Sequence, residues 1–266
     1  MSKIKINLIF GIIAAIILSS WPNDLPQSQA QVPPSLSQKT ILRVGITPNY
    51  PPMIFKWKGE ITGLEADFAL RLGKALHQDI QFIELPWVDQ INALMEGKTD
   101  IIMSAMTITD ARKVRINFTD PYLKSGLAAM MRAGDGAKYD SKKKILESMT
   151  TVGVIQGTTG EVFVRNQFLS HFVIPIKNPG EAPDLLTNRR IDLFVHDAPS
   201  ILWLLSENET TLRGSRDLLN EDYLAWAIRF EDQALLKKIN AVLADWKKDG
   251  TLKQIVLKWL PYWKIF

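Results

Sequence analysis

The sequence contains no cysteine, which excludes disulfides and an N-terminal lipidated cysteine together. Its three histidines, His77, His171 and His196, are scattered and fit no metal-ligand spacing, so neither a metal nor a cofactor is expected. Charge of one sign is scarce as well: the formal +4 is spread without long runs. The one basic cluster, Lys142-Lys-Lys144, is short enough to read as solvated surface, and no nucleic-acid partner is expected. The apolar run Leu8–Leu18 falls short of the roughly 20 residues a membrane span needs. It follows Lys3 and Lys5 and precedes Ser28-Gln-Ala30, small residues at cleavage-site spacing. That pattern predicts a secretory signal peptide over 1–30, followed by a linker, "QVPPSLSQK", over 31–39. Removing the leader leaves 30 basic against 27 acidic residues. What is abundant is apolar side chain: 46% of the chain is hydrophobic and 23% charged, as in globular proteins. An exported chain without disulfides must be held by core burial, and 266 residues suit two domains.

From residue 40 the pattern alternates strand and helix. Leu42–Ile46 reads as a strand, and Leu64, Phe68, Leu72 and Leu76 recur at helical spacing over 64–77. A strand over 80–85, a short helix through Ile91, Leu94 and Met95 stopped by Gly97, and a strand over 100–103 follow. A second series starts at Thr151–Ile155, continues with a helix after Gly157-Thr-Thr-Gly160, and ends with a strand at Ile191–Val195. Two further extended segments, 126–132 and 222–229, lie between and after the series. Leu235, Ile239, Leu243 and Trp246 predict a long helix ending at Gly250, and Thr251-Leu-Lys-Gln254 has the form of a capping box. Alternating elements of this kind imply βαβ units and largely parallel sheets. "EGKTDIIMSA" and "NRRIDLFVHD" echo each other, so that Ser104 matches His196 and Ala105 matches Asp197. Ligands of open parallel sheets bind at such strand ends.

Several side chains near these ends carry chemistry. Arg112 follows Ser104, Thr107 and Thr109 and offers a planar fork suited to a carboxylate; the plain alternative is a surface pair with Asp110 or Asp120. Gly157-Thr-Thr-Gly160 opens a helix, where backbone N–H groups and a Thr hydroxyl make an anion site while the other Thr caps. Asp197 ends a buried strand and would suit an ammonium group, or else caps a helix over 198–205. Tyr50, in the exposed-looking turn "TPNYPP", and Trp87 would wall a pocket. Gly97-Lys98-Thr99 mimics the end of a phosphate loop but precedes a strand and lacks the earlier glycine.

Taken in order, "LRVGITPNYPP", "GLEADFALRLGKAL", "IIMSAMTITDARK" with "FTDPY", "VGVIQGTTGE", "IDLFVHD" and "DGTLKQIVLKW" resemble the family 3 extracellular solute-binding proteins, over about residues 40–260. That resemblance implies a two-lobed α/β fold of the periplasmic binding protein type II class, two parallel-sheet domains joined by two hinge strands. Lobe 1 would comprise 40–127 plus 228–266, and lobe 2 would comprise 128–227. It implies a non-enzymatic, monomeric, periplasmic protein that delivers an amino acid to an ABC transporter permease. Arg112 would bind the α-carboxylate, helped by Thr107 and Thr159. Asp197 would bind the α-ammonium with the Ala105 carbonyl and Thr107. Tyr50 and Trp87 would sandwich the side chain, with Ser104 at its border. Receptors for basic amino acids in the family tend to carry a carboxylate where this chain has Thr47, so a neutral polar or aromatic ligand is implied. Ala105 stands where Ser is frequent, and Leu64 and Glu65 replace the commoner Phe and Asp, a change that reads as structural. The alternative is a secreted dehydratase of the cyclohexadienyl or arogenate type, with Glu161 or His196 as general acid.

Overall fold

The computed structural model describes residues 40–169, 172–261 and 263. The expected leader 1–30, the linker 31–39 and His171 lie outside the described residues.

Two five-stranded sheets organise the chain. The first runs in the order Asp79–Glu84, Ile41–Ile46, Ile101–Ile102, Ala227–Ile228, Asn117–Phe118. The second runs Val173–Ile176, Val152–Ile155, Leu193–Asp197, Leu127–Arg132, Leu212–Gly214. In each, the first three strands are parallel and the remaining pairings antiparallel. The parallel portions are the predicted βαβ units. The antiparallel strands adjoin the crossings, so each sheet is mixed where parallel strands predominate in the expectation. Leu123–Ser125 pairs antiparallel with Asp222–Leu224, and these two strands carry the chain from one sheet to the other and back.

The internal echo has a structural counterpart. Ile101–Ile102 and Leu193–Asp197 both take the central place of their sheets. The aspartate preceding each does the same backbone job. Asp100 Oδ2 accepts the Arg43 amide at 2.8 Å, and Asp192 Oδ2 accepts the Thr151 amide at 3.2 Å. Each thus fixes the register of the neighbouring parallel strand.

The helix Leu64–Leu76 buries Leu64, Ala66, Phe68, Ala69 and Leu72 against the first sheet, as its spacing predicts, and ends at left-handed His77. Phe68 meets Tyr122, Trp226 and Trp246 at ring separations of 5.3, 5.5 and 6.0 Å, an aromatic core under the crossing strands. A three-stranded sheet over Asn49–Tyr50, Ile54–Trp57 and Glu60–Thr62 has no counterpart in the sequence expectation. Its turn uses positive φ at Lys58 and Gly59, the backbone of a two-residue hairpin loop, but without the Asn-Gly or Asp-Gly signature. The capping box at Thr251 also does not form. Gly250, at φ 84°, ends Gln233–Asp249 and opens Thr251–Trp259 directly, and the Thr251 amide donates to Asp249 Oδ1 at 2.8 Å. With a single left-handed residue between the helices, Thr251 is already helical and the preceding aspartate takes the cap.

Gly63 is the entry point of the Leu64–Leu76 helix, at φ 119°, and a Cβ there would lie 2.5 Å from the Met53 carbonyl oxygen. Gly63→Ala is expected to destabilise the fold by about 1–3 kcal/mol, through strain at this φ and the backbone clash, as measured by denaturant unfolding.

Candidate functional site

The carboxyl ends of the parallel strands of both sheets face one cavity of about 310 Å³. Tyr50, Trp87, Ser104, Ala105, Thr107 and Arg112 line it from the first-sheet side, and Thr159 and Asp197 from the second. The structure therefore brings together all eight residues singled out in the sequence. It adds Lys177, Asn178 and Asn49 at the same cavity. Lys177 and Asn178 follow the parallel strand Val173–Ile176, and the strand-end rule applied to that strand would have found them.

The opening segment of the site is zipped onto a crossing strand. Ala225 N–H donates to Met106 O at 3.1 Å, Ile108 N–H donates to Tyr223 O at 2.9 Å, and Thr107 bridges Leu224. Thr109 caps the short helix Asp110–Lys113, its hydroxyl accepting from the Arg112 amide. Arg112 Nη1 then donates to the Thr107 carbonyl at 2.8 Å, and its guanidinium carbon sits 5.2 Å from the centre of the Trp87 ring. Among the described residues the guanidinium has no carboxylate in ion-pair range; Asp110 pairs with Lys113 instead. Burial lowers the Arg112 pKa, and the more distant Asp197 and Asp222 pull it back.

Asp197 stands at the start of the helix Ala198–Ser206, but its side chain makes no capping bond. Its Oδ2 instead accepts the Tyr50 hydroxyl at 2.5 Å. Tyr50 is buried, where its turn suggests exposure, because its ring stacks on His196 at 4.9 Å and its hydroxyl finds this carboxylate. Burial first, and then the Asp197 charge, raise the Tyr50 pKa well above its ordinary value, so the phenol holds its proton and donates. Burial lowers the His196 pKa against the opposing pull of Asp197. His196 Nδ1 lies 3.7 Å from Asp197 Oδ2, beyond hydrogen-bond range.

Among the described residues, three hydrogen bonds cross between the two sides: Tyr50 to Asp197, Trp87 Nε1 to the Gly157 carbonyl at 2.9 Å, and Asn49 Nδ2 to Asn178 Oδ1 at 2.7 Å. At the glycine turn Thr158 caps the helix Thr159–Gln167 while Thr159 lines the cavity. Glu161, the first candidate acid of the dehydratase reading, accepts the Gly157 amide at 2.7 Å and Arg165 Nη2 at 2.8 Å. Burial pushes its carboxyl up, but those two donors outweigh burial and hold it below the usual carboxylate range. Among the described residues no group of three or more His, Cys, Asp or Glu is placed to hold a metal ion.

Glu65, which reads as structural in the sequence, is fully buried beneath the site. It accepts the Ala105 amide and the Tyr122 hydroxyl on Oε1, both at 2.6 Å, and Trp226 Nε1 on Oε2 at 2.8 Å. Its donors lie 40, 57 and 161 residues away in sequence, so no local pattern marks it.

Two α/β lobes, two crossing strands and a cleft that holds a guanidinium and a carboxylate from opposite sides define a two-lobed solute-binding protein. The family model of bacterial extracellular solute-binding proteins, family 3, matches residues 42–262, and the chain belongs to that family. Among curated relatives, the L-cystine-binding protein TcyJ of Escherichia coli (strain K12) is 28% identical over 226 residues, covering 84% of each chain. The ABC transporter glutamine-binding protein GlnH of Bacillus subtilis (strain 168) is 29% identical over 208 residues, covering 76% of this chain and 74% of its own. Among solved structures, an ancestral amino acid-binding protein described as a precursor of cyclohexadienyl dehydratase is 33% identical, with a TM-score of 0.77. It covers 82% of this chain and 95% of its own. A putative ABC transporter binding component from Wolinella succinogenes, complexed with lysine, is 28% identical with a TM-score of 0.79 and the same coverage.

Burial pushes the Glu65 carboxyl up to about 7, against the lowering effect of its three donors. A carboxyl whose folded pKa lies above its unfolded value of 4.5 binds an extra proton in the native state. Its contribution to stability is complete below pH 4.5 and is lost as pH rises to about 7, a change on the order of 3 kcal/mol. Stability relative to Glu65→Gln is therefore expected to fall between pH 5 and pH 8, as read by denaturant unfolding of both chains at the two pH values.

Proposed function

We propose that this protein captures an amino acid in the cleft between its lobes and presents it to the permease of an ABC importer. The observation that carries this reading is the oppositely charged pair. Arg112 and Asp197 face one cavity from opposite sheets, and the guanidinium has no carboxylate against it among the described residues. A zwitterionic head group satisfies both at once. Its carboxylate would lie on Arg112 and the helix start at Thr159. Its ammonium would lie on Asp197, the Ala105 carbonyl and Thr107. Tyr50 and Trp87 would flank the side chain, with Ser104 beside it. The names of the relatives, which cite cystine and glutamine, support an amino acid as the class of ligand. The absence of a carboxylate at Thr47 favours a neutral polar or aromatic side chain.

In this reading the chain acts in the periplasm as a monomer after losing residues 1–30. Its lobes comprise 40–127 with 228–266, and 128–227. The enzymatic alternative draws on the likeness to a dehydratase precursor, but Glu161 is committed to Gly157 and Arg165 and does not line the cavity. His196 lines the cavity, but it is stacked on Tyr50.

A thermal-shift screen of residues 31–266 against the common amino acids, cystine, prephenate and arogenate tests this. One amino acid at about 100 times its Kd is expected to stabilise the chain by roughly 2.7 kcal/mol, with the shift abolished in Arg112→Ala and in Asp197→Asn. Consumption of prephenate or arogenate, without an amino-acid response, would replace the receptor with the enzyme.

A further inference from the structure

We propose that Glu65 is a positioning residue of the binding site, joining the ligand-facing loop to both strands of the hinge. The inference deepens the amino-acid reading and rests on it for the role of the Ala105 carbonyl.

Ala105 occupies the left-handed region at φ 53°, an unfavourable place for a residue with a Cβ. Its amide donates to Glu65 at 2.6 Å, and that bond holds the turn which sets the direction of the loop Ala105–Thr107. Tyr122 immediately precedes the crossing strand Leu123–Ser125, and Trp226 lies two residues beyond Asp222–Leu224. One carboxylate therefore grips the site loop and a residue flanking each crossing strand. Tyr122, Trp226 and Glu65 are all buried, and among the described residues no cation is hydrogen-bonded to the group. Glu65 sits on the Leu64–Leu76 helix, anchored by its buried Leu64, Ala69 and Leu72 and by the stacking of Phe68 on Trp246, so its position is fixed by the first lobe. A bend of the crossing strands moves Tyr122 and Trp226 against this fixed group. The loop, bonded to the same group and to residues 223–225, cannot reorient independently.

A carboxyl group suits the three donors in either protonation state: ionised, it accepts from all of them, and protonated, its O–H can turn to the Tyr122 oxygen while the Ala105 and Trp226 N–H groups still donate to it. A Gln in its place brings an NH₂ that must face at least one N–H or force the Tyr122 hydroxyl to turn away.

The test is amide hydrogen exchange by NMR at a fixed pH on the ligand-free chain, comparing wild type with Tyr122→Phe and Glu65→Gln. Tyr122→Phe removes one hinge-side donor and leaves the backbone of Ala105 untouched. It is expected to accelerate exchange at Ala105 and Ala225 several-fold while Val154, in the second sheet, keeps its rate. Glu65→Gln is expected to accelerate the same amides more strongly. Unchanged exchange at Ala105 in Tyr122→Phe, or equal acceleration at Val154, would overturn the coupling. Because Tyr122→Phe differs by one oxygen, it decides the matter even where Glu65→Gln does not fold. Titration with L-glutamine, L-cystine and L-arginine separates the two readings. Failure of wild type to bind any of them counts against the amino-acid reading, while the exchange rates still judge the coupling.

Discussion

Arg112 holds a half-buried positive charge with a backbone carbonyl and an aromatic face for company but, among the described residues, no carboxylate. Burying a charge without a counterion is costly, and a chain free to rearrange would turn the side chain outward. This one cannot do so cheaply. The Thr109 cap fixes the short helix that carries it, and Met106 and Ile108 lock the preceding loop to residues 223–225. The deficit is thereby kept in the cleft, where the carboxylate of the proposed ligand would remove it. Asp197 faces the same space without pairing with it.

The two sheets contribute unlike halves of one site from like positions. Asp100 and Asp192 perform the same backbone task, so the strands that follow emerge in the same orientation at the centres of their sheets. A few residues on, the sequences diverge: Ser104 and Ala105 supply a hydroxyl and a carbonyl, while His196 and Asp197 supply a neutral ring and a charge. Similar scaffolds thus aim different chemistry at a shared space. The three bonds from Tyr50, Trp87 and Asn49 join the halves across it, and excluding water there strengthens every charged contact inside.

The order of strands and helices was legible because each buried face repeats at its own period, as with Leu64, Phe68 and Leu72. That Arg112, Thr159 and Asp197 line one cavity was legible because Asp197 ends a parallel strand, Thr159 opens a helix, and Arg112 lies on a short helix reached from the central strand of its sheet. What was hidden has physical causes. Tyr50 looks exposed from its prolines alone, since the groups that bury it, His196 and Asp197, lie in the other half of the chain. The hairpin at Lys58-Gly59 turns on backbone freedom that a lysine does not advertise. Glu65 occupies a position in a helix that reads as ordinary amphipathic pattern, and its meaning depends wholly on donors distant in sequence.

That last case bears on how such a protein can respond to a small ligand. In the proposed reading, closure on a ligand would bend the crossing strands, whereas recognition would depend on the placement of a loop in the first lobe. If the two were connected only by flexible chain, the ligand would gain little from a closed hinge. Here the loop is bonded to residues 223–225 directly, and Leu123–Ser125 follows 222–224 through their shared ladder. Glu65 adds a rigid reference, since its helix packs by Phe68 against Trp246 of the long C-terminal helix and does not belong to either strand. A strained residue such as Ala105 is tolerated at the meeting point because its amide donates to a fixed carboxylate. Relaxing the strain would break that bond and leave a buried carboxyl short of a donor. The same free-energy term therefore keeps the loop poised and ties its pose to the state of the hinge.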